Sequence, residues 1–339
     1  MPPNAAAYNP ALGKALEVRE QPYVEPKDRE LVITNRAVSL NPCDFAMRDL
    51  GPAIFPGITY PCFGGEDVAG EVIAVGRAVT RFKVGDRVIA LALAGFQKYP
   101  ILQEHNTTKI PDSMSFEEAC VLPLCLCTAA ACLFYKDHMG LEIPSNTTAA
   151  KPTGKTILIW GGSTSVGTNA IQMSVAAGYE VVATSSPHNF EYVRSLGASA
   201  VFDYRSDTIV PDLIDSLRGK IMIGCMAIGN IGAPMAYEDV VEKCVAVMKQ
   251  VEGRRFMMTF KPVTSFPGGV DARFTTATLL RSDVELGQAV WDWLSRGLAA
   301  GTYRALPKAD IVGQGLEGIQ PSLDILRDGV SARKLVVTL

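Results

Sequence analysis

The pattern of apolar and polar positions changes character along the chain. In the first third, short strand-like runs alternate with dense turns. Leu31–Leu40 reads as a strand, and Asp67–Val75 is an alternating apolar strand containing Gly70. Phe82–Ala90 holds the turn Val84-Gly85-Asp86 followed by another strand. Pro52, Pro56, Gly57, Pro61, Gly64 and Gly65 punctuate the intervals, which predicts a loop-rich β region. The middle third reads differently. A continuous apolar strand, Thr156–Trp160, precedes a helical period over Val166–Ala177 that stops at Gly178. A strand at Glu180–Thr184, a short helix at Phe190–Leu196 closed by Gly197, and a strand at Ala200–Phe202 follow. This alternation predicts a parallel sheet covered by helices. Further on, the pattern predicts strands at Ile221–Ala227, Arg255–Thr259 and Lys334–Thr338, and helices at Tyr237–Lys249, Glu285–Ala299 and Leu316–Arg327. The longest apolar run, Ala119–Phe134, contains Pro123 and Thr128. It is shorter than the roughly 18 residues of a membrane span and reads as a buried helix.

Length changes this picture by dividing it: 339 residues exceed one ordinary core, so two domains are expected. Hydrophobic residues at 48% and charged residues at 20% are the balance of a well-packed globular protein. A net charge of −3 supplies no basic excess for nucleic acid or an anionic membrane surface. Met1–Pro10 has neither a basic start nor an apolar run, so no secretory signal is expected. The eight cysteines then read as reduced thiols of a cytoplasmic protein.

The chemistry enters where strand Thr156–Trp160 runs into Gly161-Gly162-Ser163-Thr164-Ser165-Val166-Gly167. Glycines allow a tight turn and close backbone approach to a pyrophosphate, and the following helix offers free N–H groups and a positive dipole end. Gly162, Ser163, Thr164, Ser165 and Val166 are therefore candidate cofactor contacts. The next strand ends Val181-Val182-Ala183-Thr184-Ser185-Ser186-Pro187-His188-Asn189, with no acid for a ribose 2′-hydroxyl. Ser186, His188 and Asn189 could donate to a 2′-phosphate instead, with Tyr204 and Arg205 after the third strand adding a hydroxyl and a charge, and Pro187 lies in the same cofactor-binding turn. The expected cofactor is NADPH. Ser and Asn here also suit a turn and helix cap, and both roles can coexist.

Beyond this motif, Gly64-Gly65-Glu66-Asp67-Val68-Ala69-Gly70-Glu71-Val72, Val75-Gly76 and Phe82-Lys83-Val84-Gly85-Asp86-Arg87-Val88 resemble the N-terminal domain of medium-chain dehydrogenases/reductases. Leu40-Asn41-Pro42-Cys43-Asp44, Thr184 to Phe190, Phe202-Asp203-Tyr204-Arg205 and Lys334-Leu335-Val336-Val337 bring the resemblance closest to fungal ToxD-like oxidoreductases and the trans-acting enoyl reductases of polyketide synthases. The resemblance covers essentially the whole chain. It implies an α/β fold: a Rossmann doubly wound parallel sheet over 119–264, plus a GroES-like β-rich catalytic domain from 1–118 with 265–339. It implies an active site in the cleft between the two. Pro42, Cys43, Asp44 and Phe45 would then line the nicotinamide side, with Val330 and Ser331 approaching the cofactor. Thr128, Ala129, Ala130, Ala131, Cys132, Leu133, Phe134 and Tyr135 would lie beside the substrate.

Zinc members of this superfamily carry Gly-His-Glu where this chain has Gly64-Gly65-Glu66, and a four-cysteine lobe where Leu91–Asn106 has no cysteine. No metal is expected, because in the alternative set of Cys43, Glu66 and Cys125 or Cys127 the cysteines read better as small buried hydrophobes. Without zinc, an activated C=C bond is the natural hydride acceptor. The expected activity is reduction of an enone or enoyl thioester in secondary metabolism, with a polyketide synthase as partner. A quinone or alkenal reductase is the alternative, and an NADPH-binding partner protein with little turnover is a second. No residue is assigned as catalytic: Asp44 reads as an acid or a turn cap, and Thr128 as a substrate hydroxyl or a helix-interior threonine. Relatives commonly have Asp in the strand where this chain reads Ile223-Gly224-Cys225-Met226-Ala227. A monomer is expected, with a dimer through the parallel-sheet edge at Arg255–Phe260 as the alternative.

Overall fold

A computed structural model describes residues 3–145, 150–229, 235–261 and 269–339. The chain divides into two compact units, Met1–Leu124 with Leu294–Leu339, and Cys125–Trp293. The sequence-based boundary at 264/265 lies outside the described residues. The observed second crossing, at Trp293/Leu294, assigns a further strand to the parallel sheet.

The first unit contains β1 (Asn4–Asn9), β2 (Glu17–Gln21), β3 (Glu30–Ser39), α1 (Pro42–Asp49), β4 (Cys62–Phe63), β5 (Asp67–Val75), β6 (Arg87–Leu91), β7 (Ile101–Gln103), β8 (Thr107–Lys109) and α2 (Phe116–Ala119). The helix α3 (Pro123–Phe134) begins here and runs on into the second unit. The second unit continues with β9 (Lys155–Trp160), α4 (Ser165–Ala176), β10 (Glu180–Ser185), α5 (Phe190–Ser195), β11 (Ala200–Asp203), α6 (Ile209–Leu217), β12 (Ile221–Ala227), α7 (Tyr237–Gln250), β13 (Phe256–Thr259), β14 (Asp271–Phe274), α8 (Thr278–Ser282) and most of α9 (Val284–Ala299). The chain then returns to the first unit with β15 (Lys308–Gln314), α10 (Ile319–Arg327) and β16 (Arg333–Thr338).

The first unit is built on a seven-stranded sheet in the order β15-β16-β3-β5-β6-β8, with β7 also on β3. Its centre is the β3–β5 pair. One face of β3, Leu31, Ile33, Asn35, Ala37 and Ser39, is buried throughout, and Val32, Thr34 and Val38 on the other bring β-branched side chains that suit a pleated surface. Two register shifts, at Val32/Ile33 and Asn35/Ala37, bend this pair. Gly70 permits it, since a Cβ there would lie 2.2 Å from the Thr34 carbonyl oxygen. The return strand β16 pairs antiparallel with β3, setting Val336 opposite Ser39. That register delivers Lys334 to the C-terminal end of β3.

The second unit holds six parallel strands in the order β11-β10-β9-β12-β13-β14. The order reverses at β9, so the switch point lies beside its C-terminal end. In β9 every residue after Lys155 is buried, as a central parallel strand requires. The expected helix over Ala119–Phe134 is instead two, because Pro123 has no N–H to continue a helix and starts a new one. Counted from Phe116 the segment spans 19 residues at mean hydropathy 1.7, long enough to cross a membrane by length and composition. Within the protein 78% of it is buried, as for a core helix.

Candidate functional site

The dinucleotide turn follows β9 directly. Gly161 sits at φ +88°, and its N–H donates to the Thr184 hydroxyl at 3.1 Å. The Gly162 N–H donates to the Thr184 carbonyl oxygen at 2.8 Å. Thr184, at the end of β10, therefore holds the turn with both its side chain and its backbone. On the far side the Thr164 hydroxyl donates to the Gly161 carbonyl oxygen at 2.7 Å and caps α4 by accepting from the Gly167 N–H at 3.0 Å. A Cβ on Gly167 would lie 2.3 Å from the Gly161 oxygen, so helix and turn approach as only glycine allows. Ser165 and Val166 begin α4, where N–H groups have no intrahelical acceptor. Backbone donors and a positive dipole end together fit a pyrophosphate.

The residues expected around a 2′-phosphate come together at the ends of β10 and β11. The Ser186 hydroxyl lies 3.4 Å from the Tyr204 hydroxyl. His188 is exposed and Asn189 is buried, both in a single turn of tight helix, Pro187–Asn189. Asp203 is the register partner of Ser185, an acid close to the group that reading needs. Its carboxylate accepts from the Arg205 N–H and Nε at 3.1 and 3.2 Å, which balances its charge with a cation.

In the first unit the predicted nicotinamide segment forms the entry to α1. Pro42 occupies the first helical turn, where its missing N–H is no loss. The Asp44 carboxylate accepts from the Asn41 N–H at 2.8 Å and from the Gly65 N–H at 3.1 Å. It is the turn cap, and it ties α1 to the Gly64–Gly65 bend. Burial pushes Asp44 up to about 7, with Glu66 and Asp67 adding to the rise and the two N–H donors opposing it. Burial also raises the Cys43 thiol, helped by Asp44 and Glu66. Phe45 is buried, and Cys43 and Pro42 are partly exposed. Val330 is partly buried and Ser331 exposed, in the turn before β16.

Beneath this segment lies a buried polar cluster. Asp67, at 0% exposure, takes the Ser39 hydroxyl at 2.7 Å, the Asn41 Nδ2 at 2.8 Å and the Lys334 Nζ at 3.0 Å, all on Oδ2. Its Oδ1 accepts the Leu124 N–H in the first turn of α3 at 2.6 Å. Lys334 also donates to Asn41 Oδ1 at 2.5 Å.

Comparison with known proteins defines the chain's relatives. The model of the alcohol dehydrogenase GroES-like domain matches residues 27–112. Dehydrogenase azaJ of Aspergillus niger is 43% identical, with 100% of both chains covered. Trans-enoyl reductase himH of Aspergillus japonicus is 39% identical over 99% of this chain and 97% of its own. The chain belongs to the medium-chain dehydrogenases/reductases. Solved structures of lower identity share the fold of this dehydrogenase/reductase. CurK enoyl reductase superposes with a TM-score of 0.79 at 20% identity, covering 99% of each chain. The mycobacterial Rv1454c, in complex with NADPH, gives 0.75 at 20% identity over 99% and 100%.

In this dehydrogenase/reductase the predicted substrate segment is mostly core. Thr128 is 8% exposed and Ala129 to Phe134 are 4% or less, within α3. Tyr135 is partly exposed and its ring stands 5.1 Å from that of His138. Among the described residues no three His, Cys, Asp or Glu side chains are grouped to hold a metal. Sequence reasoning passed over Lys334, Asp67, Ser39 and Asn41 as a group. The available signal was that Lys334, after Arg333, leads into the apolar Leu335-Val336-Val337, and Asp67, after Glu66, leads into Val68-Ala69, opposite charges at the mouths of two buried strands.

Proposed function

We propose that this oxidoreductase uses NADPH to reduce an activated C=C bond, an enone or an enoyl thioester, as a trans-acting enoyl reductase working with a polyketide synthase in the cytoplasm, without zinc. The observation that carries the reading is the turn at Gly161–Gly167. Its glycine-only approach of helix to strand and the first N–H groups of α4 fit a dinucleotide pyrophosphate. The enoyl-reductase names of relatives such as himH supply the acceptor class. Bound NADPH would contribute a hydride at its nicotinamide ring.

The chain's own residues would do the rest. Thr184 and Thr164 shape the pyrophosphate turn, and Ser186 with Tyr204 offers hydroxyls to a 2′-phosphate. Pro42–Phe45, tied down by the Asp44 cap, would line the nicotinamide side. Fixed N–H or hydroxyl donors would stabilise the enolate oxygen until water or a side chain protonates the α-carbon, and losing one such donor typically costs about 2.7–4 kcal/mol.

NADPH oxidation should be measured with crotonyl-coenzyme A, trans-2-hexenal and 1,4-benzoquinone, with and without EDTA. Turnover of the thioester or enal, unchanged by EDTA, is expected. Turnover of the quinone alone would transfer the chain to the quinone-reductase reading, and loss with EDTA would overturn zinc independence. Tight NADPH binding without turnover would mark a binding partner.

A further inference from the structure

We propose that Lys334 and Asp67 are positioning residues for hydride transfer: they hold the Asn41 amide, and with it the turn Pro42–Phe45, in one setting. The inference rests on the reading that this turn faces the nicotinamide.

The Asn41 side chain joins the two charges. Both ends of its amide are engaged, Nδ2 by Asp67 at 2.8 Å and Oδ1 by Lys334 at 2.5 Å. An amide held at one end can still swing; held at both by partners of opposite charge, it has one orientation. The pairing also fixes which end is oxygen, since an ammonium can only donate. From Asn41 the constraint passes along the backbone. The Asn41 N–H is bonded to the Asp44 carboxylate, whose other oxygen holds the Gly65 N–H. Strand β16 thus reaches the Gly65 bend through one continuous hydrogen-bonded series.

Stability alone is a poor reason for such a cluster. Lys334 and Asp67 are 4% and 0% exposed at their side chains, and a buried ion pair rarely outperforms well-packed apolar residues. What apolar residues cannot supply is direction. Hydrogen bonds to a carboxylate with four donors define angles as well as distances, whereas hydrophobic contact is non-directional. The backbone leading to Lys334 carries a second sign of constraint. Ala332 adopts φ +48°, the one left-handed non-glycine residue among the described residues. Such a conformation persists only where its surroundings over-determine it.

Placement matters most at the chemical step. Hydride transfer needs reacting carbons within about 3–3.5 Å, and a displacement of about 1 Å can cost on the order of 100-fold in rate. A loosened turn would therefore lower kcat while leaving binding to the pyrophosphate turn of the other unit intact.

The test uses Lys334→Met, which keeps most of the stem and removes the charge, and Asn41→Leu, which leaves the Asp67–Lys334 pair in place. Leu31→Ala, a cavity at the opposite end of β3, is the stability control. Each variant is compared with wild type for NADPH affinity by nucleotide fluorescence, for the thermal midpoint, and for kcat on the fastest of the three acceptors above. The deuterium isotope effect with C4-deuterated NADPH is measured as well. Both site variants should lose tenfold or more in kcat, with less than a threefold change in NADPH Kd and an isotope effect larger than wild type. Lys334→Arg should recover part of the rate, and Leu31→Ala should lower the midpoint without changing the isotope effect. If Lys334→Met turns over within twofold of an active wild type, the inference is overturned and the proposed function stands. The same holds if its rate falls only in step with the midpoint, as for Leu31→Ala. Should wild type fail to bind NADPH, both fall. If Lys334→Met does not fold, Asn41→Leu decides: a wild-type isotope effect and rate there would overturn the inference.

Discussion

The two units build their candidate site segments from opposite materials. In the parallel-sheet unit the dinucleotide turn is almost entirely backbone: glycines without Cβ atoms, helix N–H groups, and two threonines that hold the loop. In the antiparallel unit the corresponding segment is a buried cluster of side-chain charge, with Asp67, Lys334 and Asp44 joined through Asn41. A backbone site recognises a shape common to every dinucleotide. A side-chain cluster can be tuned residue by residue, but each member depends on the others.

That contrast can be broken at its strongest point first. Replacing Asp67 by Ala leaves the Lys334 ammonium buried without its carboxylate and removes the acceptor of four donors. The expected loss is about 3–5 kcal/mol by urea denaturation, and a loss below about 1 kcal/mol would show that the cluster carries no such dependence. The backbone site should yield to size rather than charge. Gly167→Ala places a methyl 2.3 Å from the Gly161 oxygen. Overpacking of this kind costs about 1–3 kcal/mol, and NADPH affinity by fluorescence titration should fall with it; unchanged affinity and stability would show that the turn tolerates a Cβ.

A pH series sharpens the comparison further. Folded Asp44 holds its proton up to about pH 7, whereas an unfolded aspartate releases it near 3.9. Between these values the folded protein binds more protons. The group's contribution to stability is therefore complete below about pH 4 and is lost as pH rises through 7. Asp44→Asn does not titrate, so the stability gap between wild type and variant should shrink from pH 5 to pH 8; a constant gap would contradict the raised value. The smallest effect is expected at the outer rim of the backbone site. Tyr204→Phe and Ser186→Ala each remove one hydroxyl from a pair 3.4 Å apart. Each should reduce the preference for NADPH over NADH roughly fivefold, the worth of about 1 kcal/mol for one hydrogen bond, read as a ratio of kcat/KM values. An unchanged ratio in both variants would remove the 2′-phosphate from this corner.

Legibility in the sequence followed the same divide. The dinucleotide turn was readable because its signal is local: an apolar strand, glycines and a helical period within 23 residues, Lys155–Ala177. The bounds of β5 and β12 agree with the pattern to the residue, since a buried strand between turns has sharp ends. Strand β1, of sequence Asn-Ala-Ala-Ala-Tyr-Asn, was not readable, because alanine has little strand preference and the segment is held by pairing with β2 and β4. Strand β15 was missed for a related reason: it carries Gly313 and no fully buried position, so neither alternation nor an apolar run marks it. The short α6, Ile209–Leu217, contains Pro211 in its first turn, which reads as a breaker when seen without its N-terminal position. The Asn41 cluster depended on partners from three distant strands meeting in one register, which no window of sequence contains.

The antiparallel unit is interrupted by the whole of the other one, and this imposes an order in time. Asp67 emerges from the ribosome 267 residues before Lys334. At about 5–20 residues per second, a nascent chain carries that carboxylate without its ammonium for roughly 13–53 seconds. The parallel-sheet unit is contiguous and has all its strands in hand during that interval, while β3 still lacks the neighbour that completes its sheet. The parallel-sheet unit can therefore reach its final form first, and the charged cluster closes last, when β16 arrives beside β3.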